Sequence, residues 1–328
     1  EGNLKDIGSG PYKLKEFKDG ESLVLEKFED YYGGEPQINT VAFKVISDVS
    51  AQEVAMQNGE INLMELADAA AVEKYSSEEN YQVHEFPEGR VNYMAWNKYS
   101  ETWKNKDALD AVFAAIDAQE IIDGAYGSTM AKKATSILSN ANMFYDESVK
   151  GHEQDLEKAK ELAKSSGLTS KTLKLYYNAD RAYMEQSALI VQQQLKAAGI
   201  TLDIEGVESN GFFDIVFGDA SDYDLYLNGY GGSTDPDEVI AGMFDGTWGI
   251  NVDTSDEILD LFKKGRETTD ETERAKIYKE IQEKAISQKT IYPIAYPNYN
   301  FVSLKSLDGA DLYRHIPIFE DYSKLSYK

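Results

Sequence analysis

The sequence predicts a mixed α/β chain with at least one parallel strand pair. Two kinds of apolar spacing and their order point to this. Leu173, Leu175 and Tyr177 alternate in the manner of a strand, and Leu202, Ile204 and Val207 do so again. Between them Met184, Ala188, Val191, Leu195 and Ala198 fall on one helical stripe, closed by Gly199. Strand, helix and strand at these lengths read as a βαβ crossover, which joins parallel strands.

Earlier elements are legible by the same two periods. Tyr12–Leu14 and Ser22–Phe28 read as strands, followed by the turn-rich Tyr31-Tyr32-Gly33-Gly34-Glu35-Pro36, and Val41–Ile46 reads as a third. Ser50 and Glu53 have the spacing of a capping box, which opens a helix that Gly59 closes. Ile61–Met64 resumes strand. Leu109, Val112, Phe113 and Ile116 mark one helix over 108–122, ending at Gly124. Leu156, Ala159, Leu162 and Ala163 mark another, stopped at Gly167. Ile258, Leu259 and Phe262 face one way in a later helix. A Thr268/Glu271 capping box opens a second, through Ile277, Tyr278, Ile281 and Ala285, and Ile291–Leu304 is strand-like and rich in aromatics.

Composition bounds the function. The chain has 328 residues, enough for two or three domain-sized cores, and 42% are hydrophobic, enough to fill them. Its formal net charge is −25, and no clustered Lys/Arg stripe interrupts the acidity, so a nucleic-acid partner is excluded. There is no cysteine, which removes disulfides, thiolate metal sites and cysteine nucleophiles, and which fits an extracytoplasmic bacterial protein. No apolar run approaches the ~20 residues of a membrane span. The start at Glu1-Gly2-Asn3 reads as a piece of a longer protein.

Catalytic and metal motifs fail on spacing. His84, His152 and His315 are far apart, and His152-Glu153 lacks a second histidine four residues on. Gly231-Gly232-Ser233-Thr234-Asp235 has Asp235 where a nucleophile elbow needs glycine, and Gly8-Ser9-Gly10-Pro11-Tyr12 lacks the third glycine of a dinucleotide loop. No cofactor is implied, and no enzyme. A carboxylate-based glycosidase stays as the alternative from another class, because acidic pairs such as Asp235/Asp237 are abundant.

The most informative segment is Leu225–Asp237. An alternating strand, Leu225-Tyr226-Leu227-Asn228, runs into Gly229-Tyr230-Gly231-Gly232-Ser233-Thr234 and stops at an Asp235-Pro236-Asp237 turn. Glycine at a strand end lets a second backbone approach, and tyrosine offers flat amphipathic contact area. Such a segment suits an extended ligand gripped by its main chain, the β-augmentation mode.

These residues also resemble a known family. Gly8-Ser9-Gly10-Pro11-Tyr12 is similar to the Gly-Thr-Gly-Pro-Tyr signature of the peptide-binding extracellular solute-binding proteins of ABC importers. In the same order, Tyr31-Tyr32-Gly33-Gly34, Asn58-Gly59-Glu60-Ile61-Asn62, Met94-Ala95-Trp96-Asn97, Ala111–Asp117 and Gly229–Asp237 resemble further motifs of that family. Six ordered motifs cover essentially the whole chain. Departures are Leu109 where an arginine is usual, Tyr230 where tryptophan is common, and Ser233 where some members use an aspartate to hold a peptide's α-amine. Asp235 is then the nearest acid.

The resemblance implies a two-lobed clamshell of the type II periplasmic-binding-protein kind, with lobe I incomplete. Residues 1–93 and 298–328 would form lobe I and 94–297 the α/β ligand-binding lobe II, with Tyr93–Asn97 and Ala295–Tyr299 as hinge crossings. It implies oligopeptide capture by closure outside the membrane, with a non-peptide solute (an oligosaccharide or a chelated metal) as the alternative. Gly229, Tyr230 and Gly231 would pair with peptide backbone, with Gly232, Ser233 and Asp235 beside them. Tyr93, Trp96, Asn97 and Trp248 would line the cleft. The partners would be the importer's permease subunits. Localisation would be extracytoplasmic, as a cell-surface lipoprotein or in the periplasm, with any membrane anchor outside this chain. Apolar surface that the rest of the protein would cover is expected to be exposed.

Overall fold

The computed structural model describes residues 8–218, 222–231, 235–247, 252–312 and 322–328. The chain divides into two compact units, Glu1–Phe86 with Tyr299–Lys328, and Pro87–Asn298. The first crossing falls earlier than position 93, because the strand that contains Tyr93 pairs along its whole length inside the second unit.

The first unit begins with strands β1 (Tyr12–Lys18), β2 (Ser22–Lys27) and β3 (Thr40–Lys44), an antiparallel sheet in that order. Helix α1 (Val49–Gln57), β4 (Leu63–Glu65), α2 (Ala69–Ser76) and β5 (Tyr81–Pro87) follow. The N-cap of α1 is Asp48, whose carboxylate accepts from the Ala51 N–H at 2.8 Å, so Ser50 lies inside the helix rather than opening it. A charged acceptor at a helix N-terminus is favoured by the dipole as well as by the bond. Asp68 caps α2 in the same way, at Ala71. A cavity of about 540 Å³ opens between β3 and β4, lined by Phe43, Ile46, Ile61, Met64, Tyr322 and Leu325 among others. Val45, Val49 and Val54 of this unit are exposed.

The second unit starts with β6 (Arg90–Trp96), α3 (Lys106–Ala115) and α4 (Ala118–Ile121), then one π-helical turn at Ile122–Tyr126 and β7 (Ala131–Lys133). The single helix expected over 108–122 is broken: Ile116 is extended, and Asp117 accepts from the N–H groups of Gln119 and Glu120 to start a new one. Next come α5 (Leu156–Ser165), β8 (Thr172–Asn178), α6 (Ala182–Ala197), β9 (Thr201–Val207), α7 (Ser209–Val216) and β10 (Leu225–Gly231). The parallel pairing of β8 with β9 around α6 is the crossover that the apolar spacing predicts. Helices α8 (Pro236–Phe244), α9 (Asp256–Glu267) and α10 (Glu271–Ser287) complete the set. Asp270 caps α10, whereas Thr268 ends α9 and donates its hydroxyl back to Lys264 O. Strand β11 (Tyr292–Leu304) then runs out of the second unit, and β12 (Leu307–Asp308) and β13 (Ser326–Tyr327) form a small antiparallel pair in the first. In the first unit β4 pairs with Phe301–Ser303 of β11.

The sheet of the second unit runs β11-β6-β10-β8-β9, with β6 antiparallel to β10 and β8 parallel to it. Alternation sends the side chains of β6 and β10 to opposite faces. Met94, Trp96, Leu225 and Leu227 join Leu173, Leu175 and residues of α3, α5 and α6 in one core. Val91, Tyr93, Ala95, Tyr226 and Tyr230 join Phe212, Phe244, Phe262 and Tyr278 in the other. Covered on both faces, these strands read as nearly continuous apolar runs.

Gln282 of α10, fully buried, ties the second core to the 136–146 loop. Its Oε1 accepts from Ser136 Oγ at 2.8 Å and from the Asp146 N–H at 3.3 Å, while Nε2 donates to the carbonyls of Phe144 (3.0 Å) and Tyr278 (2.9 Å). Gln282→Ala strands several of these groups without water, at a cost of about 2–4 kcal/mol. Chemical denaturation of the purified variant reads this as a lower midpoint. A loss under about 0.5 kcal/mol, the range of surface substitutions, would show that the network does not hold the loop.

Candidate functional site

The glycine segment is the end of β10. Strand β6 pairs with it from Leu225↔Trp96 to Gly231↔Arg90, but β8 pairs only with Leu225, Tyr226 and Leu227. From Asn228 to Gly231, one edge of β10 therefore has no strand beside it among the described residues. The antiparallel ladder begins with the Asn97 N–H donating to Asp224 O at 2.9 Å. Bonding groups alternate along such a ladder, so Asn228 and Tyr230 face β6, whereas the N–H and C=O of Gly229 and Gly231 face the uncovered edge. Main-chain groups at an uncovered edge are a ready template for a further strand.

The two glycines are glycine for different reasons. A Cβ on Gly229 would overlap Asn92 Oδ1 and stand 3.3 Å from Arg90 Cδ, whereas a Cβ on Gly231 meets nothing within 4 Å. Arg90 crosses the strand here. Its Nη1 donates to the Gly229 carbonyl at 2.9 Å and its Nε to Glu88 Oε1 at 2.8 Å. Asn92 donates Nδ2 to the Tyr126 hydroxyl at 2.9 Å, and that ring stacks on Tyr183 at 4.8 Å. Sequence reading missed Arg90, Asn92 and Tyr126. The pairing register brings Arg90 and Asn92 to the glycines, and Tyr126 comes with Asn92 through their hydrogen bond.

Side chains expected at the ligand have other partners. Tyr230 is 7% exposed, donates its hydroxyl to Ile137 O, and packs on Tyr93 at 5.4 Å. Burial pushes both phenols well above their usual range. Trp96 donates its indole N–H to Lys289 O at 2.8 Å and meets Trp103 edge-on. Asn97, fully buried, donates to Tyr223 O at 3.1 Å and accepts from the Tyr99 N–H. Tyr93, Trp96 and Asn97 thus serve the two cores and the strand end, because β6 is a central strand with helices on both sides. Asp235 accepts from the Asp237 N–H as N-cap of α8 and receives a two-pronged bond from Arg274, Nη1 to Oδ2 at 2.6 Å and Nη2 to Oδ1 at 2.9 Å. The Arg274 guanidinium holds the carboxyl below the usual range, and itself stacks on Phe144 and Tyr278. Gly232, Ser233 and Trp248 lie outside the described residues, as does His315.

No group of three or more metal-ligating side chains occurs among the described residues, and no described helix is long and apolar enough to cross a membrane. His84 bonds Ser303 Oγ at 2.9 Å in the first unit. His152 lies between Phe113 (4.9 Å, edge-on) and Tyr292 (5.1 Å, stacked), with a buried Nε2 that has no partner.

A family model described as bacterial extracellular solute-binding proteins, family 5 Middle, matches residues 2–251. The chain belongs to this family. The oligopeptide-binding protein AppA of Bacillus subtilis (strain 168) is 28% identical over 333 residues, covering 93% of this chain and 59% of that protein. The probable D,D-dipeptide-binding periplasmic protein DdpA of Escherichia coli (strain K12) is 25% identical, over 92% of this chain and 59% of its own length. The chain thus spans about three fifths of these curated relatives. Among solved structures, AppA from Clostridium difficile superposes with a TM-score of 0.91 at 37% identity, over 98% of this chain and 68% of that one. Bacillus subtilis AppA in complex with a nonapeptide gives 0.72 at 25%, over 99% and 68%. The α/β fold is that of the type II periplasmic-binding proteins.

Two expected outcomes follow from the geometry. Gly229→Ala forces Asn92 and Arg90 aside and costs about 1–3 kcal/mol in denaturant unfolding, whereas Gly231→Ala stays within about 0.5 kcal/mol. Equal effects would mean that the Asn92 contact does not constrain the strand. His152 gives a pH dependence. Burial, with the Lys289 charge adding to it, lowers its imidazole from 6.5 to about 4. The unfolded chain takes up a proton below about 6.5 and the folded chain only near 4. Stability therefore falls as pH drops through that window, by at most about 3 kcal/mol. His152→Gln should flatten the unfolding midpoint against pH between those values, and an unchanged slope would remove His152 as its source.

Proposed function

We propose that this chain is the ligand-gripping part of the substrate-capturing subunit of an ABC importer, and that its ligand is an oligopeptide bound outside the membrane. The observation that carries this reading is the uncovered edge of β10. At Gly229 and Gly231 the main-chain donors and acceptors face away from β6, and no described residue stands within 4 Å of a Cβ on Gly231. An extended peptide matches such an edge by its own backbone, which gives affinity without demanding one sequence. Family membership and the peptide-binding relatives support the same ligand class. The importer's permease subunits are the partners this role requires, and a lipid anchor would tether it to the membrane. Gly232, Ser233 and Trp248 belong to the proposed ligand surface on sequence grounds.

Gly231→Val in the full-length protein tests the reading directly, because a Cβ there meets nothing within 4 Å among the described residues. Peptide affinity should fall tenfold or more, about 1.4 kcal/mol per tenfold. Native mass spectrometry of the purified full-length protein should also recover bound peptides of unchanged mass. Unchanged affinity of a folded Gly231→Val protein would sink the backbone-pairing mode. Recovery of a sugar or a chelated metal would replace the peptide.

A further inference from the structure

Arg90 opens β6, yet its side chain leaves its own strand and lies across β10. It passes close over Gly229: a Cβ there would stand 3.3 Å from Arg90 Cδ, tighter than an ordinary contact. The cross-strand partner of Arg90 is Gly231, where a Cβ would meet none of the described residues within 4 Å. At its far end the guanidinium meets the Gly229 carbonyl, one of the groups that face the uncovered edge.

A guanidinium carries five N–H donors in a fixed fork. Nε is spent on Glu88 and one Nη1 hydrogen on Gly229 O. Among the described residues no acceptor meets Nη2, and the side chain is 19% exposed. Resting on the reading of β10 as the ligand strand, we infer that Arg90 is itself a ligand contact, donating from Nη2 to an sp² oxygen of the bound peptide.

Glu88 decides what kind of oxygen. The Arg90–Glu88 pair is close to neutral as a unit, so it exerts little pull on a loose anion from solution. It favours an oxygen that the strand has already brought into place. That oxygen is a main-chain carbonyl or the terminal carboxylate, the two acceptors that every unmodified peptide offers. Carbonyl oxygens have two lone pairs, so Gly229 C=O keeps one for a ligand N–H while Arg90 holds the other. Arg90 would then fix where along β10 the ligand's ladder begins.

The experiment uses the full-length protein, its Arg90→Gln and Arg90→Lys variants, and a synthetic pool of free-acid peptides five to nine residues long. A second pool has the same sequences with C-terminal amides. Retained peptides are measured by native mass spectrometry, and thermal unfolding is followed in parallel. Arg90→Gln should weaken retention roughly ten- to a hundredfold, the span of one charge-assisted hydrogen bond, with the unfolding midpoint unchanged. Arg90→Lys, which keeps the stem and the charge but not the fork, should recover part of the loss. An equal loss in the amide pool assigns the oxygen to a main-chain carbonyl. A loss confined to the free acids assigns it to the terminal carboxylate. Should Arg90→Gln lower the midpoint through the lost Glu88 and Gly229 bonds, Arg90→Lys still reads the loss of the fork. Retention equal to the unaltered protein in a folded variant overturns the inference while peptide binding stands. If the unaltered protein retains nothing from either pool, the peptide reading falls and this contact with it.

Discussion

The antiparallel ladder between β6 and β10 is the constraint on which the second unit depends. Each of its rungs assigns one side chain to the helices α3, α5 and α6 or to the opposite core. A slip of one residue would exchange every assignment, turning Tyr93 and Tyr226 toward the face that holds Met94 and Leu225. The two ends of the ladder are built differently. At its start Asp224 accepts from Ser100 Oγ, Thr102 Oγ1 and the Lys174 N–H, while its carbonyl accepts from Asn97 and the Trp103 indole. At its other end stand two glycines. The register is thus pinned where the strand is polar and crowded, and is left open where a ligand would come.

The same division shows in the charges. A chain with a formal net charge of −25 would be expected to surround the proposed ligand strand with free carboxylates. Near β10 the acids are instead matched to cations: Glu88 with Arg90, Asp235 with Arg274, Asp237 with Arg266 and Asp224 with Lys171. The Arg274 fork also takes Gly265 O through Nε and lies against two aromatic rings, so it joins the entry of α8 to α9 and α10. Both carboxylate oxygens of Asp235 are thus already engaged, by Arg274 and the Asp237 N–H. Most of the acidity remains for the solvated surface, where it limits self-association.

What the sequence made legible follows from which forces are local. The β8-α6-β9 unit is plain because apolar period and glycine stops agree at Gly167 and Gly199, both of which adopt positive φ. Caps were harder. Ser50 and Thr268 satisfy a spacing pattern, but Asp48 and Asp270, two residues away on either side, offer a charged acceptor at the same helix ends and take the caps. The stripe over 108–122 hides a break, since Asp117 can leave the helix only because Gln194 of α6 receives it, its Nε2 donating to Asp117 O at 3.1 Å. Asp235-Pro236-Asp237 looked like a turn and is the start of α8, with aspartate as cap and proline in the first turn, a local signal that was available. The burial of Tyr93 and Trp96 was not, because it depends on helices that arrive from elsewhere in the chain to cover both faces of β6.

Gly229 and Gly231 show most sharply where sequence reading ends. Two positions apart, they share one face of one strand, and both suggest room for another backbone. Over Gly229 that room belongs to the protein's own Asn92 and Arg90: a Cβ there would overlap Asn92 Oδ1 and crowd Arg90 Cδ at 3.3 Å. Over Gly231 no described residue fills it. The first glycine therefore admits an arginine to the edge, and the second leaves space beside it. Glycine at a strand end grants closeness to whichever group arrives. Only the cross-strand register decides whether that group comes from the same chain or from outside it.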